Sequence, residues 1–153
     1  MLKCDHPHII KYFETYKEDS HIYMVMELCE GGTLGDKISS EKIFNREAIA
    51  ANYMYQCCLA LQHCAQLNIM HRDIKPENIM IGNDGEVKLI DFGLSLVREG
   101  TENNLNQAGS PYYFAPEVFK KVYGRDVDIW SLGVSFYEML SGKEEPDCFP
   151  FPA

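Results

Sequence analysis

The spacing of apolar and polar residues divides the chain into a strand-rich start, a helical middle and a second long helix near the end. Met1 to Lys3 reads as the last turn of an element already under way, and Asp5-His6-Pro7-His8 breaks that pattern. Ile9 to Tyr16 and His21 to Glu27 read as two antiparallel strands joined by the polar turn Lys17-Glu18-Asp19-Ser20. Gly31-Gly32 ends the second strand, Thr33 caps a short helix to about Ser39, and Asn45 caps a longer one. From Glu47 to Leu67 the apolar or small residues Ile49, Tyr53, Cys57, Ala60, Leu61 and Cys64 recur at three and four, which makes a core-facing helical stripe. His63 lies beside that stripe and is expected to be a partly exposed helix histidine. Leu94 to Ala108 is polar, with loop chemistry. Asp126 then opens a helix that runs to about Ser141 and stops at Gly142. It carries Trp130, Leu132, Val134, Phe136, Met139 and Leu140 on several faces, the pattern of a buried helix.

Between the two long helices lies the stretch His71 to Gly93. Its short apolar runs, residues 79–81 and 86–90, flank Gly82-Asn83-Asp84-Gly85 and read as a tight hairpin. A hairpin returns the chain to its starting point, so Asn78 and Asp91 come side by side at the open end. Asp73 stands five residues before Asn78. Two oxygen-bearing side chains at one point suit a hard cation such as Mg²⁺, which takes one or two protein ligands with phosphate and water.

The 153 residues suffice for one domain with a real core, and 46% hydrophobic with 24% charged residues is an ordinary globular balance. A net charge of −9 argues against nucleic acid or anionic membrane as partner and favours basic substrates. No apolar run approaches a membrane span, and the first residues lack the apolar centre of a signal peptide, so a cytoplasmic location is expected. The six cysteines form no C-x-x-C pair, and Cys57-Cys58 fall inside a helical pattern. Reduced, mostly buried thiols fit better than a zinc site or a disulfide framework.

His71-Arg72-Asp73 with Lys75 and Asn78, then Asp91-Phe92-Gly93, resembles the catalytic and metal-binding loops of eukaryotic protein kinases. Gly109 to Glu117, reading GSPYYFAPE, is similar to the end of that family's activation segment. The resemblance implies an α+β kinase-like fold, with residues 1–29 a remnant of the small lobe and hinge and residues 30–153 a truncated large lobe. It implies ATP and Mg²⁺ as cofactors and protein substrates as partners. By the same resemblance Asp73 orients the substrate hydroxyl and accepts its proton, Lys75 reaches the transferring phosphate, and Asn78 and Asp91 hold the metal. Met26 guards the back of the nucleotide pocket, the backbone of Glu27 and Cys29 meets the adenine edge, and Met80 packs under the ring. Ser110 bonds Asp73 and Lys75, Asp128 bonds the backbone of the catalytic loop, and Glu77 meets a basic residue of the target.

Lys75 matches the serine/threonine kinases, and the wording GNDGEVKLIDFGLS is similar to the calcium- and calmodulin-dependent group. A calcium sensor or regulatory segment outside this chain is a partner the resemblance allows; Asn83-Asp84-Gly85 itself lacks the later Glu of a calcium loop. Three residues before Gly109, where many kinases carry a phosphorylated Thr, stands Asn106, so Arg72 is expected to lack a phosphate partner and Thr101 is the weaker alternative site. Thr33 replaces an acid often found in the matching helix, which weakens the expected basic selectivity.

The chain contains no G-x-G-x-x-G loop and no V-A-I-K lysine. It therefore reads as a fragment of an active serine/threonine kinase. The alternative is a weak or inactive kinase-like interaction module. A small-molecule kinase of related fold is opposed by Ala115-Pro116-Glu117 and Ser110.

Overall fold

A computed structural model of the chain describes residues 4–40, 46–98 and 105–141. Two strands, β1 (Tyr12–Glu18) and β2 (His21–Met26), form an antiparallel hairpin with a bulge between Tyr12 and Glu14. The first strand starts three residues later than the sequence pattern suggests. Ile9 and Ile10 are claimed by the core instead: the Ile10 amide donates to Leu89 O, and the Leu89 amide donates to His8 O. The turn is also shorter than expected. Glu18 still pairs with His21, because Asp19 takes a left-handed conformation (φ 51°) that closes the hairpin in two residues.

The hairpin makes few contacts beyond itself. Phe13, Tyr16, Ile22, Tyr23, Met24 and Leu28 are exposed, with Tyr16 stacked on Tyr23 at 5.0 Å. Among the described residues these side chains form an open apolar face.

Helix α1 (Leu34–Ser40) begins with a reciprocal cap. Thr33 Oγ1 accepts from the Asp36 amide at 3.0 Å, and Asp36 Oδ2 accepts from the Thr33 amide at 2.9 Å. Helix α2 (Arg46–Gln66) buries Tyr53, Cys57, Ala60, Leu61 and Cys64 of the expected stripe, while Ile49 is half-buried and Ala50, which the stripe did not include, is buried beside it. Its proposed cap, Asn45, lies outside the described residues. Asn68 (φ 58°) turns the chain out of the helix, and its amide donates to Ala65 O. The chain then enters β3 (Ile69–Met70) and, through the 3₁₀ turn Pro76–Asn78, the short strands β4 (Ile79–Ile81) and β5 (Val87–Leu89).

β4 and β5 pair as the expected hairpin, Ile79 opposite Leu89 and Ile81 opposite Val87. α2 packs against β5, where Gln56 Oε1 accepts from the Val87 amide at 2.7 Å. Residues 94–97 are not all loop. β6 (Leu96–Val97) pairs with β3, a two-residue ladder too short for a pattern of alternation to reveal.

Helix α3 (Asp126–Ser141) packs on α2 through a buried face that includes Leu132 and Met139. It is not buried all round. Ile129, Tyr137 and Leu140 are exposed, one stripe at helical spacing, while Trp130 and Phe136 are half-buried. Apolar composition alone does not report how many neighbours a helix has. Gly142, expected to stop this helix, lies outside the described residues.

The described cysteines are free thiols, and burial pushes Cys57 and Cys64 up to about 12. Cys148 lies outside the described residues.

Leu89 joins α2, the hairpin and Ile9 in one core and is fully buried. Leu89→Ala should lower unfolding free energy by about 2–5 kcal/mol. A urea titration followed by tryptophan fluorescence, with a midpoint unchanged from the parent chain, would contradict this packing.

Candidate active site

Asp73 is the residue on which the site converges. Its Oδ1 accepts from the Ser110 amide at 2.9 Å and from Ser110 Oγ at 3.0 Å. Its Oδ2 accepts from Asn78 Nδ2 at 2.9 Å and lies 3.4 Å from Lys75 Nζ. Lys75 in turn donates to Ser110 Oγ at 2.8 Å. Four of the residues singled out in the sequence thus form one contact network, with Asp73 and Asn78 buried and Lys75 and Ser110 half-buried.

The loop reaches this shape because its backbone is held from below. Asp128, in the first turn of α3, accepts from the His71 amide through Oδ2 and from the Arg72 amide through Oδ1, both at 2.8 Å. Arg72 is left-handed (φ 69°), and Gly109 passes close beside it. A Cβ on Gly109 would lie 2.1 Å from Arg72 O, and its φ of 107° suits glycine. Gly109 therefore lets Ser110 approach Asp73. The sequence pattern shows that glycine without showing why it is needed.

The imidazole of His71 is fully buried between Phe92, with ring centroids 4.7 Å apart, and the hairpin. Its Nε2 lies 2.9 Å from Ile90 O and its Nδ1 lies 3.3 Å from the Asp73 amide. A carbonyl needs a donor and an amide needs an acceptor, so the neutral ring protonated on Nε2 satisfies both. Burial pushes the His71 imidazolium below its ordinary 6.5, against the pull of Asp128, Asp73 and Asp91. Burial also raises the Asp128 carboxyl above 3.8, while the Arg72 and His71 amides hold it back.

Asn78 ends the 3₁₀ turn, and its amide nitrogen serves Asp73 twice, at Asp73 O (2.8 Å) and at Oδ2. That commits the nitrogen, so a cation placed here would be met by the amide oxygen. The Ile90 amide donates to Asn78 O at 3.0 Å, so Asp91 is the next residue beyond Asn78 at the hairpin's open end. Asp91 is left-handed (φ 59°), and its Oδ1 accepts from the Gly93 amide at 3.1 Å. Oxygen donors on two neighbouring segments fit a hard divalent cation.

The segment after β2 is brought to this hairpin by backbone contacts. The Gly31 amide donates to Ile81 O (3.0 Å), the Ile81 amide donates to Gly32 O (2.9 Å), and Thr33 bridges to Met80. A side chain at Gly31 would start 2.6 Å from Ile81 O, so the approach requires glycine. Glu27 reaches Lys88, which stands opposite half-buried Met80 across the hairpin, while Cys29 is buried and Met26 exposed. The Glu27 amide donates to Lys11 O, and its Oε1 accepts from the Lys11 amide (2.9 Å) and from Lys88 Nζ (3.1 Å). The sequence pattern passes over Lys88, whose only signal is a charge in an apolar strand. Glu77 is exposed on the 3₁₀ turn beside α1.

Arg72 does not project unpartnered: its Nε donates to Leu94 O at 2.7 Å. Asn106 is engaged through its backbone, where its carbonyl accepts from Tyr123 OH at 2.6 Å. Thr101 lies outside the described residues. His63 is half-buried as expected, but its ring stacks on His6 at 5.2 Å and its Nε2 has no hydrogen-bond partner among the described residues.

The neutral state of His71 is directly measurable. In an imidazole nitrogen NMR titration its Nε2–H tautomer should persist to a pH below 6.5, and an ordinary midpoint near 6.5 would contradict the geometry. The unfolded chain takes up this proton at a higher pH than the folded chain, so stability should fall as pH drops through 6.5.

A profile of the protein kinase domain matches residues 1–148. Calcium-dependent protein kinase 14 of Arabidopsis thaliana is 43% identical over 141 residues, covering 90% of this chain and 26% of the relative. Calcium-dependent protein kinase 5 of Plasmodium falciparum (isolate 3D7) is 43% identical over 145 residues, covering 93% and 25%. Calcium-dependent protein kinase 20 of Oryza sativa subsp. japonica is 44% identical over 140 residues, covering 90% and 25%. The chain spans about a quarter of the length of these relatives. With a profile that covers nearly the whole chain, these findings establish that the chain belongs to the protein kinase domain family.

Proposed function

We propose that the site transfers the γ-phosphate of ATP to a Ser or Thr hydroxyl of a protein. The observation that carries this reading is the Asp73 carboxylate, bonded by Ser110 and Asn78 with Lys75 Nζ beside it. Asp73 orients the incoming hydroxyl and takes up its proton as the new O–P bond forms and the bond from the γ-phosphorus to the bridging oxygen of ADP breaks, releasing ADP. Lys75 meets the charge on the transferring phosphoryl group, and Ser110 holds Asp73 and Lys75 at their spacing. Mg²⁺, held by Asn78 and Asp91, would neutralise phosphate charge around the loose transition state. The backbone of Glu27 and Cys29 would receive the adenine edge, with Met80 beneath the ring and Met26 behind it.

This is chemistry of placement, in which fixed groups meet developing charge. Nothing in the site's geometry favours the non-catalytic alternative. The calcium dependence in the relatives' names supports a calcium-linked regulatory partner for this domain.

Asp73→Asn should lower kcat by about 10²- to 10⁴-fold in a radiolabelled transfer assay on Ser/Thr peptides; the amide oxygen still accepts from Ser110, while the amide nitrogen cannot accept from Asn78 or Lys75. Transfer to choline or a sugar in preference to peptide would sink the protein-substrate reading.

Exposed Glu77 supports recognition of a basic residue upstream of the acceptor, and the net charge of −9 acts in the same sense. On a peptide array the parent chain should prefer Arg or Lys there, and Glu77→Gln should reduce that preference by roughly threefold, the worth of one exposed ion pair. An array with no basic preference would remove this role from Glu77.

A further inference from the structure

Lys88 has no part in the proposed chemistry, yet it lies where the hinge segment meets the hairpin that carries Asn78 and Asp91. It is on β5, three residues before Asp91. Its Nζ lies 3.1 Å from Glu27 Oε1 and donates to Pro7 O at 2.8 Å. The same Glu27 oxygen accepts from the Lys11 amide, while the Glu27 amide donates to Lys11 O. Three separate chain segments are therefore joined through one carboxylate and one ammonium. The two side chains are only 17% and 23% exposed, unlike a solvated surface pair.

A cavity of about 140 Å³ opens beside the pair, lined by Cys4, His6, Lys11, Glu27 and Lys88 among others. Among the described residues side-chain packing does not fill this space, and polar contacts join the segments around it. At the other end of the hinge segment, Gly31 and Gly32 are fixed to Ile81 on β4. The segment from Glu27 to Gly32 is thus tied at both ends to the same hairpin, directly by backbone at one end and, at the other, directly by the Lys88 ion pair and indirectly through Lys11 and the Ile10 bond to Leu89.

We infer that Lys88 is a positioning residue whose ion pair with Glu27 holds the hinge backbone in register with the hairpin, so that adenine and the phosphates are engaged together. The inference rests on the ATP reading above. Loss of Lys88 removes the only direct side-chain tie described between Glu27 and the hairpin and leaves that end held through Lys11 alone, and what suffers is recognition of the base. Phosphate-side groups, fixed through Asp73 and Asn78, keep their places.

The test is competitive displacement of a fluorescent ATP analogue by ATP and by GTP, on the full 153-residue chain. Lys88→Met should weaken ATP roughly three- to tenfold with GTP little changed, so the ATP-to-GTP preference shrinks by that factor. Lys88→Arg should retain the preference. Glu27→Gln keeps the side-chain shape and the backbone carbonyl, and should shift the preference in the same direction, which leaves a mild variant where Lys88→Met fails to fold. A general structural loss would weaken both nucleotides together and leave their ratio unchanged, and that result overturns the inference alone. A parent chain that binds ATP no better than GTP overturns the hinge reading and this inference with it.

Discussion

The carboxylate of Asp128 is the fixed point of this structure. It is buried, and each oxygen accepts one backbone N–H of the loop that carries Asp73. Ionised oxygens make stronger hydrogen bonds than neutral ones, and low surrounding dielectric strengthens them again. The pair of bonds sets the rotation of two successive peptide units, His71 and Arg72. Everything above them inherits that rotation: the buried imidazole, the left-handed turn at Arg72, and the direction in which Asp73 leaves the chain.

Such backbone is costly on its own. Arg72 and Asp91 both occupy the left-handed region, which side chains other than glycine, Asn and Asp rarely visit. The cost is sustained by contacts on all sides: Asp128 below, Phe92 against the His71 ring, and Ser110 across from Asp73. These positions flank the chemistry, which is where stored strain is expected when a site must be rigid before its ligand arrives.

Much of this was legible in the sequence because it rests on local codes. Asn-Asp-Gly between two apolar runs specifies a hairpin, and the period of α2 specifies its buried face. The pairing of Asp73 with Ser110, 37 residues away, was accessible only through family resemblance, since no periodicity carries it. What escaped were features decided by neighbours rather than by the segment itself. Ile9 and Ile10 have strand composition but bury against Leu89; α3 has apolar composition on every side but leaves Ile129, Tyr137 and Leu140 exposed. Lys88 escaped for a different reason: one charge in a strand reads as a solvent-facing residue, and only the fold brings Glu27 to it.

On the proposed phosphoryl-transfer reading, the hydrogen bonds around Asp73 bear on how a substrate enters. Both carboxylate oxygens already have partners, Oδ1 from Ser110 twice and Oδ2 from Asn78 and Lys75. An arriving hydroxyl therefore exchanges one bond for another instead of filling an idle acceptor. The free energy of docking at this atom is a small difference between two matched arrangements, so tight capture has to come from contacts elsewhere on the substrate. Release of product is eased by the same balance, because Ser110 stands ready to take the vacated place.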